Sequence, residues 1–263
     1  MHAFHPVDRR TFLADLGRGS FALAVLAVAG CGPGSDATPA SPAASAVPSG
    51  SASPGSSGGG PPASSPDGGL TWERVDLGFV SAYLLVRGGE AALVDTGVGG
   101  SADAIEASLS SVGLDWSALG HAILTHRHDD HVGSLVEVMR RAPDAAAYCG
   151  QGDLEAILSE RPVTAVGDGD DVFGLRVVET PGHTAGSISV LDPTAGVLVA
   201  GDAMGTAEGR PTLPGSRFTI DMEGAKASIV KLGALTFDAL LVGHGDPIDA
   251  GASALVAELG AQG

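Results

Sequence analysis

Apolar positions in this chain fall into short runs, broken by glycine, proline and acidic residues. The runs at 82–87, 91–95, 122–125, 176–179, 188–191, 197–200 and 239–242 have the length and branched-residue content of buried strands. Apolar residues recur at helical spacing over 101–112, 132–141, 152–159, 222–235 and 253–259, which predicts helices there. Paired strands lead, strands alternating with helices follow, and further strands close the series. That order predicts an α/β domain of mixed sheets covered by helices, without choosing among α/β sandwiches.

The N-terminal apolar run, 21–29, reads differently. It is too short to cross a bilayer, and Asp15 and Arg18 prevent its extension toward the N-terminus. Residues 1–30 therefore read as an export signal. Arg9 and Arg10 followed by Phe12 and Leu13 resemble the twin-arginine type, although Asp8 and Ala14 depart from its flanking preferences and leave ordinary secretory export open. Val28-Ala29-Gly30-Cys31 resembles a bacterial lipobox, which implies acylation of Cys31, a membrane tether and an extracytoplasmic location on a membrane. Residues 32–69 are all Gly, Pro, Ser or Ala except Asp36, Thr38, Val47 and Asp67. Such a segment buries too little apolar area to offset chain entropy and is expected to be a disordered linker, about 35 Å in root-mean-square span. The expected organisation is signal 1–30, lipidated Cys31 and linker 31–69, and one folded domain over 70–263.

Composition narrows the chemistry. The formal net charge is −17, and only Asp8, Asp15, Asp36 and Asp67 among the acidic residues precede residue 70. An acidic domain argues against nucleic acid as a partner, because phosphates require clustered Lys and Arg. Cys31 and Cys149 are the two cysteines, which excludes a disulfide scaffold and a four-cysteine zinc module. Cys149 is expected to be a small buried hydrophobe.

The segment Thr125-His126-Arg127-His128-Asp129-Asp130-His131 places four potential ligands directly after a strand. Residues two apart in extended chain share a face, so His126 and His128 can address one ion, while Asp130 and His131 can face a second. Three further strands end on a ligand type beside glycine: His183 in Pro181-Gly182-His183, Asp202 in Gly201-Asp202, and His244 in Gly243-His244-Gly245. Imidazole and carboxylate together suit zinc, with iron or manganese also compatible.

The pattern His-x-His-x-Asp-His followed by His, Asp and His resembles the metallo-β-lactamase superfamily, across essentially all of 70–263. The resemblance implies a four-layer αβ/βα sandwich, two mixed β-sheets flanked by helices, with the site at one edge. It implies one metal on His126, His128 and His183, a second on Asp130, His131 and His244, and Asp202 bridging them. Two Zn2+ ions would then supply a metal-bound hydroxide at neutral pH and polarise a carbonyl or phosphoryl oxygen, with Asp130 as the catalytic proton acceptor.

Other residues have more ordinary readings. Asp95, in Leu93-Val94-Asp95-Thr96-Gly97, is expected to orient ligand histidines through their other ring N–H, with Thr125, Thr184 and Asp246 as further hydrogen-bonding candidates. Asp129 fits a helix N-terminal or supporting role and His121 a packing role. The glycines from Gly97 to Gly100 read as a turn rather than a phosphate cradle, since no lysine follows.

Within the superfamily, Asp202 favours the glyoxalase-II-like and lactonase-like branches over zinc β-lactamases, which carry cysteine or serine there. His128 speaks against the flavodiiron branch. The 19 residues after His244 leave no place for the helical extension with which glyoxalase II binds its thioester. The expected function is a tethered dinuclear-zinc hydrolase of a small ester, thioester or lactone. The alternatives are a mononuclear-iron sulfur dioxygenase, a zinc β-lactamase and a non-catalytic metal-binding lipoprotein. Gly78, Phe79, Val80 and the segment 204–218 are expected to wall the substrate site, with Arg210 and Arg217 read as surface charges. The pattern leaves oligomeric state open.

Overall fold

The computed structural model describes residues 69–262. The expected signal (1–30), Cys31 and the linker up to residue 68 lie outside the described residues.

Alternation along the strands sets the layers. β1 (Thr71–Asp76), β2 (Ser81–Arg87) and β3 (Glu90–Val94) form an antiparallel meander. It continues in parallel through β4 (Leu119–Leu124), β5 (Ala146–Gly150) and β6 (Val163–Val166). Sheet order follows chain order, β1 to β6. The second sheet runs β13 (Ala239–Val242), β10 (Val197–Gly201), β9 (Ile188–Asp192), β8 (Leu175–Glu179), β7 (Asp171–Val172), antiparallel except for β10 beside β13. A hairpin, β11 (Gly205–Ala207) and β12 (Arg210–Thr212), stands apart from both.

Successive strand side chains point to opposite faces. Tyr83, Leu85, Val94 and Ile123 therefore meet Val177, Val190, Val199 and Leu241 between the sheets. Leu84, Leu93 and Leu124 face outward onto α1 (Ala102–Ser111) and α3 (Leu135–Arg141) through Ile105, Leu109, Leu135 and Val138. On the far side, Leu198, Leu240 and Val242 pack on α4 (Met222–Gly233) and α5 (Ala252–Ala261) through Ile229, Leu232 and Val256. Three apolar interfaces separate four layers, which is the αβ/βα sandwich the resemblance implies. Cys149 is buried in the first of them.

Two predicted helices differ from the structure. The helix expected over 132–141 begins at Asp129 as a single turn, α2 (Asp129–Val132), and breaks before α3. The break docks onto the glycine turn: a Cβ on Gly133 would lie 2.5 Å from Gly99 N, and the Ser134 hydroxyl donates to Val98 O at 2.5 Å. The helix expected over 152–159 is a 3-10 turn, Gln151–Ala156. No helix among the described residues is long and apolar enough to cross a membrane.

Candidate metal centre

Each candidate ligand leaves the carboxyl end of a strand: His126, His128, Asp130 and His131 after β4, His183 after β8, Asp202 after β10, His244 after β13. The two sheets are joined at this edge by Ser81 N donating to Gly243 O at 2.9 Å and Ile188 N donating to Thr125 O at 2.8 Å. Ligands on loops from separate sheets are thereby brought to one place.

Three histidines meet first. His126 Nε2 and His183 Nε2 each lie 3.0 Å from His128 Nδ1. Beside them, His244 Nε2 is 3.3 Å from Asp130 Oδ2, and His131 Nε2 is 3.9 Å from the same oxygen. Asp202 stands between the groups: Oδ1 is 3.4 Å from His131 Nε2, and Oδ2 is 3.4 Å from His183 Nε2 and 3.3 Å from His244 Nε2. Gly243 makes room for this, since a Cβ there would collide with Asp202 Oδ1 and with the His131 ring.

The outer nitrogens fix the rings. Asp95 accepts from His131 Nδ1 at 2.7 Å, from Thr125 N at 2.7 Å and from the Thr125 hydroxyl at 2.8 Å. Because that hydroxyl donates to Asp95, its oxygen accepts from His126 Nδ1 at 3.1 Å. His244 Nδ1 donates to Phe79 O at 2.7 Å. His183 Nδ1 donates to Thr219 Oγ1 at 3.2 Å, whose proton goes to Gly215 O at 3.0 Å. Four Nε2 atoms therefore face the centre.

That arrangement fits divalent cations. His131 Nε2 and Asp202 Oδ1 are buried with no hydrogen-bond partner, and His126 Nε2 and His183 Nε2 both lie at 3.0 Å from His128 Nδ1, which can offer at most one proton between them. Buried acceptors in this state need a proton or a cation. The donor atoms within each of three sets (His126, His128, His183; His126, His131, Asp202; Asp130, His131, His244) lie within 4.8 Å of one another.

Titration follows from position. Burial, reinforced by the neighbouring imidazoles, holds His126 well below the usual imidazole value. Burial lowers His128 and pushes His183 down to about 4. Burial also opposes a charge on His131, but Asp95, Asp202 and Asp130 outweigh it and raise that ring. Hydrogen bonding to Asp130 and Asp202 pushes His244 up to about 10, and the same contact pulls Asp130 down to about 2. Burial works against the Asp202 charge, yet His244 and the nearby rings keep its carboxyl below the ordinary range. The carboxylates thus stay charged and hold positive charge between them.

Of the supporting residues expected from sequence, Asp95 and Thr125 touch ligand rings. Thr184 and Asp246 do not: Thr184 Oγ1 donates to Asp153 at 2.5 Å, and Asp246 pairs with Arg74 at 3.0 Å. Asp129 opens α2 outside the converging set, and His121 packs against Tyr148 and Phe173. Val80 is buried and Phe79 stacks on the His244 ring, while residues 204–206 and 212–215 of the expected segment line a cleft beside Asp202 and His244.

Asp153 is absent from the sequence-based candidates. It is fully buried and accepts from Arg127 N at 3.0 Å and Gly186 N at 3.0 Å as well as from Thr184, so it clips the His126–His128 loop to the His183 loop. Thr219 and the Phe79 carbonyl were also not singled out for this role. Backbone acceptors leave no mark in a sequence.

Comparison with known proteins agrees with this geometry. The family model described as the metallo-beta-lactamase superfamily matches residues 75–244. Metallo-beta-lactamase domain-containing protein 1 of Xenopus laevis is 34% identical over 169 residues, covering 62% of this chain and 70% of that protein. A hydroxyacylglutathione hydrolase of Acidiphilium cryptum (strain JF-5) is 36% identical over 130 residues, covering 47% of this chain and 49% of the relative. The chain spans 61% of YobT of Bacillus subtilis (strain 168) and about half the length of the matched hydroxyacylglutathione hydrolases. A solved metallo-beta-lactamase family protein of Thermus thermophilus superposes with TM-score 0.59 at 24% identity, over 74% of this chain and 77% of its own. A second solved protein, TTHA1623 in a di-iron-bound form, gives TM-score 0.53 at 26% identity, over 64% of this chain and 88% of its own.

Proposed function

The chain belongs to the metallo-beta-lactamase superfamily; from this premise we propose that it is a hydrolase that cleaves a small ester, thioester or lactone with two divalent ions, zinc by preference. His126, His128 and His183 would hold one ion, Asp130, His131 and His244 the other, and Asp202 would serve both. The observation that carries this reading is the position of Asp202, whose two oxygens reach His131, His183 and His244 within 3.4 Å.

Bound divalent ions supply Lewis acidity for the substrate oxygen and acidify water. The chain's own groups do the rest. Asp95 and Thr125 hold His131 and His126 in the tautomer that presents Nε2. Asp130, about a quarter exposed beside His244, would accept the proton released from water. The buried walls of His126, His131 and His183 exclude bulk solvent from one side of the centre.

Zinc-loaded protein assayed against thioesters, lactones and β-lactams tests the proposal. We expect turnover of at least one ester-type class and loss of about 100-fold or more in kcat/KM for Asp130→Asn. Equal inertness of both proteins across the panel overturns it. The second reading is a mononuclear-iron sulfur dioxygenase, favoured by the set His126, His128 and His183, whose donors also suit iron. Metal analysis of protein purified without added metal separates the two.

Arg9, Arg10, the apolar run 21–29 and Cys31 support export and lipid tethering of this hydrolase outside the cytoplasm. Palmitate labelling that is lost in Cys31→Ser is the expected outcome, and labelling that survives the substitution refutes the tether.

A further inference from the structure

Six large hydrophobic side chains are exposed among the described residues, and four of them, Phe79, Leu213, Phe218 and Ile220, belong to loops that border the metal centre. Phe79, 64% exposed, stacks on the His244 ring at 6.1 Å and 13°. Leu213 lines a cleft of about 320 Å³ that has Asp202 and His244 on its wall. Phe218, 63% exposed, lies over Gly215 of the same cleft, and Ile220 is anchored beside His183 by its N–H donating to His183 O at 3.2 Å. Only 4% of the chain is aromatic, so placing two of its seven phenylalanines in solvent at one opening needs a reason. Clustered exposed apolar side chains at the edge of a cleft mark a binding surface.

The charges point the same way. Among the described residues, only Asp202 and His244 put an ionisable side chain on the cleft wall. Arg210 is turned to Glu258 on α5 at 2.7 Å, and Arg217 lies over the Phe218 ring. Beyond the proposed metal ligands, no Lys or Arg among the described residues lines the cleft to pair with a second, remote negative charge on a substrate, and the chain has net charge −17.

We propose that the substrate carries an uncharged, apolar group next to the scissile bond, a short to medium alkyl chain, and that Phe79, Leu213, Phe218 and Ile220 select it. This rests on the hydrolase reading above. Water adds at the acyl carbon, the C–S or C–O bond breaks, and a carboxylic acid leaves with a thiol or alcohol, so no further reactant is needed. The cleft is at the small end of ligand sites, which limits the chain to a few carbons beyond the carbonyl.

The test is a series of neutral aryl thioesters with acyl chains of two to eight carbons, run on zinc-loaded protein beside an S-acyl glutathione and an acylthiocholine. We expect kcat/KM to climb about 2- to 4-fold per added methylene before levelling. The anionic and cationic esters of the same acyl group should be poorer substrates. The double variant Leu213→Ser, Phe218→Ser should flatten the climb, and Leu158→Ser, an exposed apolar residue outside the cleft, should leave it unchanged. A flat series in the wild type, or preference for either charged ester, overturns the proposal while leaving the hydrolase reading intact. A flat series with self-association or vesicle binding lost in the double variant would assign the rim to a macromolecular surface instead. Failure to turn over any ester in the series or the wider panel overturns both.

Discussion

Asp95 has a backbone φ of 63°, a left-handed conformation that residues other than glycine seldom adopt, although Asp and Asn do so more readily than most. The strain is held by what the side chain does: one buried carboxylate accepts from Thr125 N, the Thr125 hydroxyl and His131 Nδ1. It thereby orients His131 directly and His126 through Thr125. Asp95→Asn keeps the backbone tolerance and removes the charge. We expect metal affinity to fall about 10- to 100-fold, read by competition with a chromophoric chelator, with little change in far-UV circular dichroism. Unchanged affinity would mean that the ring orientations do not depend on this carboxylate.

At the scale of elements, what is legible in the sequence depends on how much side chain each element carries. β10 and β13 are continuous apolar runs, buried on both faces, and stand out. β5 reads Ala-Ala-Tyr-Cys-Gly and β6 Val-Thr-Ala-Val, with small or polar residues at four of five positions in the first and two of four in the second, and neither is recovered from pattern. β1 mixes Trp72 and Val75 with Glu73 and Arg74, and its place comes from pairing with β2 and from Arg74 reaching Ser81 and Asp246. The seven proposed metal ligands are visible because four crowd into one segment and the rest sit beside glycine at strand ends. Asp153 is invisible because its partners lie 26 to 33 positions away and two of them are backbone N–H groups. The 3-10 turn that carries it can only exist where Gly152 and Gly186 let the chains touch: a Cβ on Gly152 would lie 2.6 Å from Ala185 O, and one on Gly186 would overlap Asp153 N. Long-range fit of this kind has no local period for a sequence to show.

For the whole molecule, the centre spans both sheets, so ions bound there would fasten β4 of one to β8, β10 and β13 of the other and couple metal affinity to folding. Without an ion, His244 is raised to about 10 by Asp130 and Asp202, whereas His183 is lowered to about 4. At neutral pH a proton therefore occupies His244 and must leave before that ring can ligate, while His183 has none to lose. The metal-free fold gains from protonated His244 in full below the ordinary imidazole value near 6.5, and loses that gain as pH rises through about 10. The metal-bound form has the opposite dependence, because fewer protons compete for the nitrogen. Across pH 6.5 to 8.5, at fixed free zinc, apparent affinity at the Asp130, His131 and His244 set should rise by up to about tenfold per pH unit, a slope that solvent screening at the partly open His244 ring reduces. The gap in Tm between metal-loaded and chelator-treated protein should widen over the same range, and His244→Ala should abolish most of the widening. A gap that is constant with pH, or that narrows as pH rises, would show that no proton is displaced and that His244 does not ligate.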